Sequence, residues 1–438
     1  MIDITFQHFL EIILGFTLGI FIIWCQFKSN HRSFLITAFF VAFFLRLVFS
    51  IFLLLTVVDY QSIFLLKDDI SYDQISEEIA AGLSNDLSGY LSSYSTGFPN
   101  PAYFNIGGFA YHFLNFNTFS MRIMNILISC MTIIPIFKMI QENLGEKTAK
   151  IVVVLYVIFP MFVLYSGLQI KDIFVDFFTV LIFMHVLRIV NKNYSLWDAA
   201  LSTIYLMILF SLRRDLAVVI GFFILIMLIF FNNPKSTPII KFYQYWRIAL
   251  PVIMISSILA IFIFNSEIGQ TILFSLEFRF SQQSELIEAG GGASTLFRIG
   301  SFVDIYKIPF AMIFSVLAPL PGSIELASRL DVLPFYHSIG NIFNILILPF
   351  VAMGFLKFPK YLQNFGQDLI LRWIPLGLWI AISVMNLGSV RYSMTIWIFA
   401  LIWSSIGVKY IYKNKFFFSL YYLAVIAILP PIYVLLYI

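Results

Sequence analysis

Charge is what this 438-residue chain has least of: Asp, Glu, Lys and Arg together make up only 11% of it. An ordinary soluble protein carries about 25%, and no soluble fold hides this much apolar surface from water. Soluble enzymes, disordered chains and secreted scaffolds are therefore excluded. Cysteine is nearly absent too. Cys25 and Cys130 both fall in apolar stretches, so neither a disulfide framework nor a thiolate metal site is implied. The first apolar run lacks a basic leader and a small-residue cleavage site, and no cleavable signal peptide is expected. A net charge of +4 is too small to suggest a nucleic-acid surface, and the basic residues read as topology signals instead. There is no zinc-protease motif, no hydrolase nucleophile elbow and no nucleotide-binding fingerprint. Gly290-Gly291-Gly292 lacks the strand–helix context of a phosphate loop and reads as a flexible lid.

What the chain does have is hydrocarbon: 61% of it is hydrophobic, with 51 phenylalanines. At about 20 residues per crossing this is enough for roughly a dozen membrane spans. Apolar runs lie near 8–27, 33–58, 119–140, 148–166, 170–190, 196–212, 215–232, 247–266, 337–356, 369–388, 391–411 and 416–437. The expected fold is all-α, one integral membrane domain over 1–438 with about 12 spans. Basic residues fall in alternate connections: Lys28 and Arg32; Lys138, Lys147 and Lys150; Arg188 and Lys192; Lys235, Lys241 and Arg247; Lys357, Lys360 and Arg372; Lys409, Lys413 and Lys415. The positive-inside rule puts these in the cytoplasm, with both termini outside. The alternation holds only if the run at 303–320, which carries Asp304 and Lys307, is re-entrant or interfacial rather than a full crossing.

Two outer segments, 59–118 and 267–336, are too long to be turns, and long loops in compact proteins tend to be functional. In the first, Ile70, Ile75, Ile79 and Ala80 share the spacing of one helical face, which predicts an amphipathic helix on the outer membrane surface. Inside the first two spans Glu11 and Arg46 are expected to pair.

Few charged residues lie outside, so the candidates for chemistry are few. Lys67-Asp68-Asp69 ends the second span, where a carboxylate pair can act as a general base or hold a divalent cation, Mg²⁺ or Mn²⁺. Lys171-Asp172 opens a later span, and Asp176 follows Asp172 by one helical turn. Ionisable groups so placed mark a pathway or site by default. Arg213-Arg214 and Arg391, followed by Tyr392, occupy short outer turns where positive-inside statistics disfavour arginine. Arg279 and Arg298 lie in the second long loop. The guanidinium fork suits phosphate, so these residues are candidate phosphate ligands or partners of the outer acids.

The order of these features resembles the GT-C glycosyltransferase superfamily, which includes protein mannosyltransferases and lipid A aminoarabinose transferases. The resemblance rests on the acidic pair Asp68-Asp69 in the first outer loop, the stretch SGLQIKD ending in Lys171-Asp172, and the late Arg391-Tyr392. APLPGSIE is similar to a proline-rich outer element of bacterial polysaccharide-locus proteins. The resemblance implies inverting transfer of a sugar from a polyprenyl-phosphate donor to a glycan or lipid acceptor at the extracytoplasmic face of the inner or plasma membrane. Asp68 or Asp69 would be the base. Lys171, Arg213, Arg214 and Arg391 would meet the donor phosphate, supported by Asp172, Asp176, Tyr392, Arg279 and Arg298. Two other classes fit the same outline: a polymerase of O-antigen or capsule repeat units, and a lipid-linked glycan flippase or transporter. A transporter would carry mid-span charges and an internal repeat, whereas the charges here gather at one membrane face.

Overall fold

The computed structural model describes residues 6–56, 67–85, 101–191, 196–230, 332–362, 365–385 and 394–410, with residues 312, 415–416 and 418–423 beside them. Every described element is a helix. In chain order they are α1 (Phe6–Gln26), α2 (Ser29–Thr56), α3 (Lys67–Asn85), α4 (Pro101–Leu114), α5 (Thr118–Met131), α6 (Ile133–Leu144), α7 (Glu146–Ile158), α8 (Pro160–Ser166), α9 (Asp172–Val190), α10 (Leu196–Leu212) and α11 (Arg214–Phe230). After the second long loop come α12 (Val332–Lys357), α13 (Ile374–Met385), entered through a π-helical turn at Leu369–Trp373, and α14 (Met394–Gly407).

Five of the described helical stretches are long and apolar enough to cross a membrane, or six when the bent pair α7–α8 counts as one. The runs at 196–212 and 394–410 are apolar helices shorter than that. The expected count of about twelve is thus not established: 247–266, 303–320 except Met312, and most of 416–437 lie outside the described residues.

The helices sort their polar side chains to two ends. At one end the basic residues of the alternate connections meet. Lys138 donates to Gln26 Oε1 at 2.7 Å, Lys150 pairs with Glu146 at 2.6 Å, Arg188 grips Glu142, and Lys409 donates to Thr148 at 3.2 Å. At the other end the start of α1 touches the α4–α5 corner, where Gln7 Nε2 donates to Asn115 O at 3.1 Å and His8 meets Asn117 at 3.1 Å. The candidate site lies at this second end.

Close backbone approach holds the bundle together. A Cβ built on Gly407 would lie 2.0 Å from Phe350 O, and one on Gly354 only 1.7 Å from Trp403 O. Thus α12 and α14 touch backbone to backbone, as small residues allow where lipid provides no hydrophobic drive between helices. The α3–α4 pair works the same way: a Cβ on Gly108 would meet Ile79 Cγ2 at 1.8 Å, and one on Gly107 would meet Ser76 Oγ at 2.1 Å. The buried face of α3 is therefore Tyr72, Asp73, Ser76, Ile79 and Leu83, packed on protein. Of the expected apolar face, Ile79 packs on α4 while Ile75 and Ala80 are half-exposed at its margin.

A correction concerns Arg46. Glu11 accepts from Gln7 Nε2 at 2.8 Å, one turn away, while Arg46 is wholly buried against the α7–α8 break. A neighbour on the same helix reaches one Glu11 oxygen, while the Arg46 guanidinium lies far along the next span, on Ser129 and the end of α7.

Gly407→Leu is expected to force α12 from α14 and cost about 1–3 kcal/mol or more, seen as a lower midpoint of thermal unfolding in detergent. Gly15→Ala, whose Cβ would meet Leu127 at an ordinary 3.5 Å, should leave the midpoint unchanged. Equal midpoints for the two variants would contradict the packing.

Candidate functional site

The site is built outward from α5. Asn117 caps this helix: its Oδ1 accepts from Phe119 N at 3.0 Å and Ser120 N at 3.1 Å, satisfying two of the amides every helix start leaves free. From the cap, Thr118, Arg122 and Asn125 follow at i, i+4 and i+7, which places them on one face. All three are buried. Thr118 Oγ1 donates to Asp73 Oδ1 at 2.8 Å. Asn125 Nδ2 donates to Leu168 O at 2.6 Å and Ile170 O at 3.0 Å. Arg122, fully buried, lies between these two anchor points on the same stripe.

Asp73 reaches this layer from α3, one helical turn beyond Asp69. It also accepts a short hydrogen bond from the Tyr111 hydroxyl of α4, which contacts Gln169 Oε1 at 3.4 Å as well. Burial, and then the Asp73 charge, push the Tyr111 phenol above its ordinary range, so it stays protonated and keeps donating. Through this one side chain the acidic helix α3 is tied to the segment 167–171.

That segment ends in Lys171, the residue preceding α9, followed by Asp172 in the first turn, where the helix dipole favours a carboxylate. Arg213, in the break between α10 and α11, places Nη1 3.6 Å from Asp172 Oδ1 and Nε 3.7 Å from Asp215 Oδ1. These distances belong to ion pairs rather than hydrogen bonds. One turn deeper on α9, Asp176 Oδ1 accepts from Thr395 Oγ1 of α14 at 2.5 Å. Lys171, Asp172, Asp176 and Arg213 are 7%, 2%, 2% and 5% exposed, close to the limit at which ionised groups must be matched by protein.

The structure therefore brings together Lys171, Asp172, Asp176 and Arg213 of the residues picked from sequence. Arg214, the neighbour of Arg213, is exposed and lies 5.9 Å over the Phe210 ring, outside this layer. Asp68 and Asp69 stand in the first turn of α3, and their side chains are outside the described residues, as are Arg279, Arg298, Arg391 and Tyr392. Tyr111, Thr118, Arg122 and Gln169 enter the site without having been picked. The polar stripe Thr118, Arg122, Asn125 in an otherwise apolar run was the available signal. Three buried acids (Asp73, Asp172, Asp176) stand with three buried bases (Arg122, Lys171, Arg213), and the half-buried Asp215 pairs with Arg213 at the rim. Among the described residues no group of three or more His, Cys, Asp or Glu side chains could hold a metal ion.

Such a layer, with several cations gathered beside an acidic helix at one end of an apolar bundle, suits an anionic headgroup and a proton acceptor. Residues 99–262 match the family model described as dolichyl-phosphate-mannose-protein mannosyltransferase. The matched segment contains Tyr111, Arg122, Lys171, Asp172, Asp176 and Arg213; Asp68 and Asp69 precede it. This match supports the GT-C resemblance over that segment, and the several long apolar helices support a multi-pass membrane protein. No curated protein matches the chain.

Arg213→Gln removes the cation that lies 3.6 Å from the buried Asp172 and is expected to cost about 3–5 kcal/mol. Adding Asp172→Asn should recover a large part of that loss. A double-mutant cycle on thermal stability in detergent measures the coupling, and strictly additive losses would show that the two side chains do not act as a pair.

Proposed function

We propose that the protein transfers a sugar from a polyprenyl-phosphate-linked donor to a cell-envelope glycan or lipid acceptor at the extracytoplasmic face of the plasma membrane. The observation that carries this reading is the gathering of Arg122, Lys171 and Arg213, all buried, in the layer that Asp73 and Tyr111 tie to the helix opened by Asp68 and Asp69. The positive-inside rule supports the choice of face, because the end holding Lys138, Lys150, Arg188 and Lys409 lies opposite to this layer.

In the proposed reaction the acceptor hydroxyl loses its proton to the Asp68 or Asp69 carboxylate, a positioned general base. The oxygen attacks the anomeric carbon from the face away from the donor phosphate. The bond between that carbon and the phosphate oxygen breaks, and the polyprenyl phosphate leaves with the electron pair, inverting the configuration. Negative charge grows on the departing phosphate, where Lys171 and Arg213, with Arg122 behind them, oppose it. Preorganised charge of this kind, fixed in a site that excludes water, is usually the largest contribution to such catalysis. The ion pair with Asp172 holds Arg213 in place before the donor arrives, which spares the cost of ordering a long side chain during the reaction. The polyprenyl tail runs between helices, where the solvent is already hydrocarbon. A divalent cation, if Asp68 and Asp69 bind one, would add a further charge opposite the phosphate.

Incubating the purified protein with a panel of polyprenyl-phosphate sugars and candidate acceptors tests the reading directly. The expected result is release of lipid phosphate by wild type with at least one donor. Asp69→Asn or Asp68→Asn should abolish it, and Arg213→Ala should lower kcat/KM about 100- to 1000-fold. Arg214→Ala should cost far less, since that side chain points away from the layer. Release unaffected by Asp68→Asn and Asp69→Asn, and dependent only on arginines, would favour a repeat-unit polymerase. No release with any donor, together with movement of donor across vesicles, would favour a flippase.

A further inference from the structure

Arg46 lies far along the second span, wholly buried, and takes no part in the layer described above. A guanidinium at such a depth is expensive unless protein groups replace its water. Its partners are mostly backbone. Nη1 donates to Val157 O at 3.3 Å and Ala42 O at 3.2 Å, Nη2 to Tyr156 O at 3.4 Å, and Nε to Ser129 Oγ at 3.0 Å. Tyr156 and Val157 are the last residues but two and but one of α7. In an unbroken helix the carbonyl of Tyr156 would accept from the amide of residue 160, but residue 160 is proline and has none. Here the helix turns by 55° into α8. The carbonyl freed by Pro160 and its neighbour at Val157 stand at the negative end of the α7 dipole, so a fixed cation answers both the lost hydrogen bond and the dipole.

One turn along α2, Ser50 Oγ donates to Gly167 O at 3.4 Å. A Cβ on Gly167 would lie 3.3 Å from Phe49 Cδ1 and 3.6 Å from Ser50 Cα, so α2 touches the backbone there. The same stripe of α2 thus holds both ends of α8: Arg46 its entry and Ser50 its exit. Immediately beyond the exit come Gln169, Lys171 and Asp172.

We infer that Arg46 is a positioning residue, which stabilises the bend at Pro160 and thereby sets the segment 167–172 that presents Lys171 and Asp172 to the donor phosphate. The last clause rests on the function proposed above, while the bend itself does not. Hydrogen exchange of the full-length protein in nanodiscs provides a readout independent of activity. Arg46→Met should raise exchange about tenfold or more in peptides covering 159–175, with peptides from α12 and α14 unchanged. Arg46→Lys, which keeps the charge but offers no fork, should give a smaller rise confined to the same peptides. Should Arg46→Met fail to accumulate as folded protein, Arg46→Lys decides the matter by the same pattern. In transfer assays Arg46→Met should raise the donor KM about tenfold and leave the acceptor KM unchanged, and Arg46→Lys should recover part of the loss. Unchanged exchange at 159–175, or a rise spread evenly over all helices, would overturn the inference. Wild type inert with every donor would overturn the proposed function alone, leaving the exchange pattern to judge Arg46.

Discussion

A hydrocarbon-sized layer admits no unmatched charge and no unmatched backbone amide or carbonyl, and the structure follows from how this chain meets that constraint. Its few ionisable groups are driven to the two ends of the helices. Where one must lie deeper, it is held by groups that the protein itself supplies. Arg46 sits on the carbonyls at the end of α7, one of them set free by Pro160, Asp176 is held by Thr395, and Asp73 by Thr118 and Tyr111. Each is a local solution to the same problem. Two of the three lie in the candidate site, and the third shapes the backbone leading to it.

The site is formed where three kinds of break in regular helix converge. The α4–α5 corner supplies Asn117 and Thr118, the segment 167–171 supplies Gln169 and Lys171, and the α10–α11 turn supplies Arg213. At the first two of these breaks polar side chains take over backbone hydrogen bonds, as Asn117 does for Phe119 and Ser120 and Asn125 for Leu168 and Ile170. A binding layer at such a place needs little additional polarity, because the breaks already require polar residues. The neighbouring apolar packing, such as Tyr72 against Tyr103 at 4.9 Å between ring centres, keeps α3 on α4 and so keeps Asp73 in reach of Tyr111.

Several of these arrangements could be read along the chain. Alternating basic connections indicated that Lys138, Lys150, Arg188 and Lys409 share an end, and they do. SGLQIKD marked the segment that carries Lys171, Asp172 and, one turn on, Asp176. The arginines of the outer turn were recognisable as unusual, but not which of them turns inward. Arg213 and Arg214 are consecutive, and the direction of each depends on how the turn between α10 and α11 docks on α9. The stripe Thr118, Arg122, Asn125 was visible as spacing, but polar residues in an apolar run can face a partner helix, a cavity or the membrane edge equally well. The apolar stripe of α3 was legible as a face that something covers, and the structure shows that α4 covers its Ile79.

Composition alone determined that the chain lives in a bilayer, because a chain with 11% charge and 61% apolar residues has no stable surface to offer water. Periodicity and the placement of lysine and arginine determined the helical class and the sorting of charge, since both follow from forces acting on one helix at a time. Tertiary structure decided the rest: that Arg46 serves a helix break rather than Glu11, that Asp73 enters the site through Thr118 and Tyr111, and that Arg122 is buried on the same face of α5 as Thr118 and Asn125. Those choices depend on which surfaces meet across long stretches of chain, from 38 residues between Asp73 and Tyr111 to 111 between Arg46 and Val157, and only packing in three dimensions determines which charge finds which partner.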